Sequence, residues 1–77
     1  LILDGKAEAL EFSIKDSVGV TGIPLENMKL KNNTLIACIN RNGKIIIPGG
    51  RDTIESGDTV IVVTTQSGFK GIKDILR

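Results

Sequence analysis

Apolar and polar positions fall into short runs along this chain. Residues 7–14 alternate, with Leu10, Phe12 and Ile14 on one side and Glu11, Ser13 and Lys15 on the other, the period of two expected of a strand with one wet face. Further on come an apolar run Leu35-Ile36-Ala37-Cys38-Ile39, a turn Arg41-Asn42-Gly43-Lys44, a second run Ile45-Ile46-Ile47, a break at Pro48-Gly49-Gly50 and a third run Val60-Ile61-Val62-Val63. Asn-Gly between two apolar runs predicts a two-residue hairpin, because the favoured turn needs positive φ at both central positions. Strands are therefore expected over residues 7–14, 34–41, 44–48 and 59–65.

Two helices are expected between and after them. Pro24 suits the first turn of a helix, where its missing N–H is not needed, so residues 24–29 are read as a short helix with Leu25 and Met28 inward. Ser67 is a candidate N-cap for a last helix over 67–76, with Phe69, Ile72, Ile75 and Leu76 at helical spacing and Gly71 weakening it. The expected fold class is α+β, a small mixed four-stranded sheet in the order strand, short helix, β-hairpin, strand, C-terminal helix. Its expected core is Leu10, Phe12, Ile14, Leu25, Met28, Ile36, Cys38, Ile46, Val60, Val62, Phe69 and Ile72.

Composition narrows the function. At 77 residues the chain is a single domain near the size where folding hides only about two thirds of the unfolded surface. Residues 1–6 are read as the connection from a preceding domain, since the chain opens Leu1-Ile2-Leu3 without a methionine. A core marginal alone, with apolar residues on both faces of the 35–39 run, is expected to be completed by a second copy. Only Phe12 and Phe69 are aromatic and the net charge is +1, which argues against nucleic acid as a partner. No apolar run reaches the roughly 20 residues of a membrane span, so no direct membrane insertion is expected, and the single Cys38 suits a reduced, intracellular protein.

Catalytic chemistry is sparse. Histidine is absent, which removes the commonest general base and metal ligand, and no catalytic or metal residue is assigned. Two alternatives stay open: a small enzyme fragment working through Cys38, and one using the acidic group Asp52, Glu55 and Asp58. For Cys38 core packing is favoured, and for Asp58, after Ser56-Gly57, a side-chain bond to the backbone of its turn. Gly19-Val20-Thr21-Gly22 and Pro48-Gly49-Gly50-Arg51 lack the spacing of a nucleotide-phosphate loop and read as backbone punctuation. Arg41 stands where a buried strand meets its turn, so its donor fork can face a phosphate or carboxylate beside Ile46, Ile47 and Pro48; a solvated turn arginine is the competing reading.

The order of parts adds more. The series Ala9-Leu10-Glu11-Phe12, Val20-Thr21-Gly22-Ile23-Pro24-Leu25, Leu35 to Lys44, Ile45-Ile46-Ile47-Pro48-Gly49-Gly50, Ile54-Glu55-Ser56-Gly57-Asp58 and Val60-Ile61-Val62-Val63 resembles the C-terminal (TrkA-C, or RCK-C) domain of potassium-conductance regulators of the TrkA type. The resemblance implies a regulatory homodimer, peripheral to the membrane, that gates a membrane-embedded potassium transporter subunit. It implies a cytoplasmic place for the chain and puts NAD or ATP binding in a separate Rossmann-type domain, with no cofactor in this chain. In some members a ligand such as cyclic di-AMP binds at the dimer interface. Here that implies a cleft of Ile36, Ile46, Ile47 and Pro48 with Arg41 at its mouth. A purely structural dimerisation module without ligand is the remaining alternative.

Overall fold

The computed structural model describes the backbone of residues 2–77 and side chains from residue 4 onward. Five strands form one sheet in the order β1-β2-β5-β3-β4, where β1 is Ile2–Leu3, β2 Ala7–Ser13, β3 Thr34–Arg41, β4 Lys44–Ile46 and β5 Thr59–Thr64. Every strand pairing is antiparallel, so the expected mixed sheet is corrected; the parallel element is a lone bridge between Thr21 and Ile54. The four main strands fall where the alternation and apolar runs put them. Residues 2–3, read from sequence as part of a connection, pair with Ala7 and Glu8.

Valine-rich β5 takes the centre, where burial on both edges suits β-branched side chains. Residues 14–33 and 47–58 cross over one face of the sheet. That face carries Leu10, Phe12, Val60, Val62, Ile36, Ile39 and Ile46, as the pairings Leu10↔Val62, Phe12↔Val60, Ile36↔Val62, Ile39↔Val60 and Ile39↔Ile46 require. The crossing segments bring Val20, Met28 and Ile54 down onto it, and the C-terminal segment adds Ile72 and Ile75.

Both expected helices shrink to 3₁₀ turns, Leu25–Asn27 and Ile72–Ile75. The first ends where Met28 turns extended, at φ −85 and ψ 130, and Leu30 then pairs with Leu76 in a β-bridge. The N–H groups of Leu25 and Glu26 donate to the carbonyls of Asp52 and Gly50, and nucleating a longer helix in so short a window is unfavourable. The second is preceded by Gly68 at φ +83 and an extended Gly71. Strand-like bonds then hold its end, from Lys31 N–H to Ile75 O and from Arg77 N–H to Lys29 O. Ser67 is exposed and does not cap; Asp74 does, its carboxylate accepting the N–H groups of Lys70 and Gly71 at 2.7 and 3.1 Å. The Lys31 ammonium lies 5.1 Å from the centre of the Phe69 ring, a cation–π contact joining the same two segments.

The core differs from its expected list at one instructive place. Between Ile36↔Val62 and Cys38↔Ile61 the register shifts, so Ala37 is the extra residue of a β-bulge. The bulge reverses the alternation: Ile36 and Ile39 face the core, and Cys38 turns to the other face, half-buried. Val20, Ile54 and Ile75 are also fully buried, whereas Leu10, Phe12, Leu25, Ile46 and Phe69 are only half-buried. The bulge sets the relative cost of neighbouring truncations. Ile39→Ala should lose about 2–5 kcal/mol, as for a fully buried aliphatic side chain, and Cys38→Ala markedly less; urea denaturation showing equal losses would contradict the bulge.

Candidate functional site

The hairpin joining β3 and β4 closes as its dipeptide requires, with Asn42 at φ 53 and Gly43 at φ 85, the pair of positive values of a type I′ turn. The Asn40 side-chain oxygen accepts the N–H of Gly43 at 3.0 Å. This places Arg41 at the last position of β3, across from the turn that precedes β5.

Arg41 meets a partner there. Its Nε donates to Oδ1 of Asp58 at 2.9 Å and its Nη2 to Oδ2 at 2.9 Å, and Nη2 also donates to the Thr53 carbonyl at 3.0 Å. Asp58 is 2% exposed and Arg41 38%. The carboxylate also accepts the Glu55 N–H at 2.8 Å, the turn role that Ser-Gly-Asp suggested. The guanidinium hydrogen bonds hold the Asp58 carboxyl below its usual range against the opposing effect of burial, helped by the Glu55 N–H. Arg41 is raised in turn, chiefly by the same hydrogen bonds. Nη1 has no hydrogen-bond partner among the described residues.

The expected cleft residues do not all come together. Ile36 and Pro48 line a shallow groove of about 250 Å³ with Leu25, Leu30, Leu35 and the loop Gly49-Gly50, and Glu26 stands at its rim. Arg41, Ile46 and Ile47 lie outside that lining. Ile46 packs against the core and Ile47 is 77% exposed. Leu25 and Leu30 were not legible as groove residues, because only the crossing of residues 22–26 against 50–54 brings their segment up to β3, where Leu35 stands. Gly50 carried a signal: a side chain there would press on Glu26.

The outer face of the sheet forms a second feature. Leu35 and Ile45 are 60% and 58% exposed, and Cys38, Ile61 and Val63 are half-buried on the same side. The acidic residues do not gather as a catalytic or metal group. Asp52 accepts the Gly49 N–H at 2.7 Å, Glu55 is hydrogen-bonded by the Thr53 hydroxyl, and Asp58 serves Arg41. Among the described residues no three His, Cys, Asp or Glu side chains converge as metal ligands would.

The structure is thus a small antiparallel sheet with an arginine clamped at its hairpin and apolar side chains exposed on one face. The chain matches the model of the TrkA-C domain over residues 9–77 and belongs to that family. It is 32% identical over 71 residues to the Trk system potassium uptake protein TrkA homolog of Archaeoglobus fulgidus and 34% identical over 71 residues to TrkA homolog 2 of Methanosarcina mazei. Each match covers 92% of this chain but only 16% of the relative. The homolog of Pyrococcus horikoshii is 30% identical over 72 residues, covering 92% of this chain and 32% of the relative. The chain thus spans a small part of the length of its relatives.

The clamp makes stability pH-dependent. With its folded-state pKa below the unfolded value near 3.8, Asp58 stabilises the fold fully above that value, and the contribution is lost as pH falls through the lower, folded value. Asp58→Asn, which points an amide donor at existing donors, should cost about 1–3 kcal/mol at pH 7 and flatten the fall of thermal stability as the pH drops below the unfolded value near 3.8. Asp74, also lowered by its backbone donors, leaves a residual slope. An unchanged pH profile in Asp58→Asn would contradict the clamp.

Proposed function

We propose that this chain is the regulatory, dimerising and ligand-sensing domain of a cytoplasmic subunit that gates a potassium transporter or channel. The observation that carries the reading is the TrkA-C match over residues 9–77, together with the printed names of the relatives as Trk system potassium uptake proteins. In this reading NAD or ATP binds a domain outside this chain, and contact with the membrane-embedded transporter runs through the longer protein. Among the described residues no helix is long and apolar enough to cross a membrane.

The open outer face supports the homodimer. Exposed Leu35 and Ile45 beside Ile61 and Val63 make one contiguous apolar surface on a small domain, the kind of patch that marks an interaction site. In a two-fold pair each copy presents this same patch.

The ligand site is read at the border of that face. The groove of about 250 Å³ falls below the roughly 300–1,000 Å³ of small-molecule pockets, so one copy does not enclose a dinucleotide. Two copies would frame it between Ile47 and Pro48 of each, with the Nη1 edge of Arg41 toward a phosphate, while Ile36 and Ile46 stay with the core. Asp58 occupies the other guanidinium donors, so the arginine offers an anion a single pre-oriented nitrogen. A flat base on an apolar wall with phosphate on a guanidinium describes a cyclic dinucleotide such as cyclic di-AMP.

Calorimetry and thermal shift with cyclic di-AMP test this reading. A ligand at a hundred times its dissociation constant should add about 2.7 kcal/mol to the folded state. Arg41→Lys, which keeps the charge but loses the fork, should weaken binding about tenfold or more. No heat and no shift with the wild type would reject this ligand, and equal affinities would reject Arg41 as its contact.

A further inference from the structure

The hairpin turn that places Arg41 carries a reactive pair. Of Asn27, Asn32, Asn33, Asn40 and Asn42, only Asn42 is followed by glycine. Glycine leaves its amide nitrogen open to approach, because no Cβ stands beside it. Asn42 and Gly43 are both exposed, and even a Cβ added at Gly43 would meet nothing within 4 Å, so the turn projects into open space at that point.

Such a pair can close on itself. The Gly43 amide nitrogen, giving up its proton, bonds to Cγ of Asn42 as the Cγ–Nδ2 bond breaks. Ammonia leaves carrying that proton, and a succinimide ring remains. Water then opens the ring at either carbonyl, giving aspartate or isoaspartate at position 42. Water is the only co-reactant, and no electrons are gained or lost.

One contact opposes the first step. The Gly43 N–H donates to Oδ1 of Asn40 at 3.0 Å. An amide nitrogen attacks only once its proton is lost, and a proton held by an acceptor is kept from the base that would take it. The same bond fixes the Gly43 peptide within a turn whose φ values, 53 at Asn42 and 85 at Gly43, match the twist of the paired strands. The reaction therefore waits for the hairpin end to open, and Asn40 on β3 governs how often the nitrogen is free.

We infer that Asn42-Gly43 is a site of spontaneous modification by water through a succinimide, and that Asn40 is the positioning residue that restrains it. The consequence reaches the clamp. Isoaspartate routes the main chain through its side-chain carbons, lengthening a two-residue loop that fixes Arg41 opposite Lys44. Either product also adds a carboxylate at the residue next to Arg41, whose guanidinium is held by Asp58 and the Thr53 carbonyl. The inference needs neither the dimer nor the ligand proposed above.

Peptide mapping by mass spectrometry tests it, following residue 42 in the chain at mildly alkaline pH beside the capped tetrapeptide Arg-Asn-Gly-Lys, which has no fold to restrain it. The tetrapeptide should convert fastest and the wild type slowest. Asn40→Ala should convert about fivefold faster than the wild type, the factor that one hydrogen bond of ordinary strength represents, whereas Asn40→Asp, which keeps an acceptor, should convert no faster than the wild type. Hydrogen exchange of the Gly43 amide in the wild type should be slower than in the tetrapeptide, a readout that needs no variant. The isoaspartate form should melt below Asn42→Asp, which has the charge without the lengthened loop. A wild type that converts or exchanges as fast as the tetrapeptide, or an Asn40→Ala variant no faster than the wild type, would overturn the restraint. Residue 42 still intact in Asn40→Ala after the tetrapeptide has fully converted would overturn the site.

Discussion

One buried carboxylate joins the parts of this fold. Asp58 takes two hydrogen bonds from Arg41 at the β3–β4 hairpin and one from the Glu55 N–H of its own turn. Its backbone carbonyl accepts the N–H of Ile14 just beyond β2, and Arg41 reaches on to the Thr53 carbonyl. Taking a carboxylate out of water costs several kcal/mol unless donors replace its hydration. Three N–H groups do so here, which is why its pKa falls although it is buried. Removing any one donor leaves charge or lone pairs uncompensated in a domain with little stability to spare.

The clamp also decides what the hairpin can offer a partner. Arg41 is held with Nε and Nη2 inward, so its surface chemistry is that of the remaining nitrogen at a fixed position and angle. Around it the sheet is asymmetric. One face is covered by residues 14–33, 47–58 and the C-terminal segment, while the other leaves Leu35 and Ile45 in solvent. Among the described residues the connecting segments between β2 and β3 and between β4 and β5 go to the covered face. The proposed homodimer follows from this arrangement, since the outer face is the one that leaves Leu35 and Ile45 for a second copy.

The legible parts were those whose signals are local. Asn42-Gly43 announced its turn because the positive φ values belong to those two residues, and Ser56-Gly57-Asp58 announced the cap that Asp58 makes on Glu55. Strand positions followed from apolar runs. What escaped depends on distant contacts. Ala37 looks like any strand residue, yet as the bulge it sends Cys38 outward and Ile39 into the core. Residues 67–76 have helical spacing, but Gly68 and the bonds to Lys29 and Lys31 hold them open. Arg41 and Asp58 were each singled out, Arg41 as a ligand contact and Asp58 as a turn residue, while their pairing required the topology that lays the start of β5 beside the end of β3. Ile36 and Pro48 share the groove, whereas Ile46 turns to the core and Ile47 to solvent.

The claim that function rests on the uncovered sheet face is tested most directly by sedimentation equilibrium of the chain and of Ile45→Asp at micromolar concentration. A two-fold pair on that face should give the wild type twice the 8.2 kDa of the single chain. The substitution, which places two charges in the interface at once, should return a folded monomer. A wild type that stays monomeric, or an Ile45→Asp variant as dimeric as the wild type, would contradict the account.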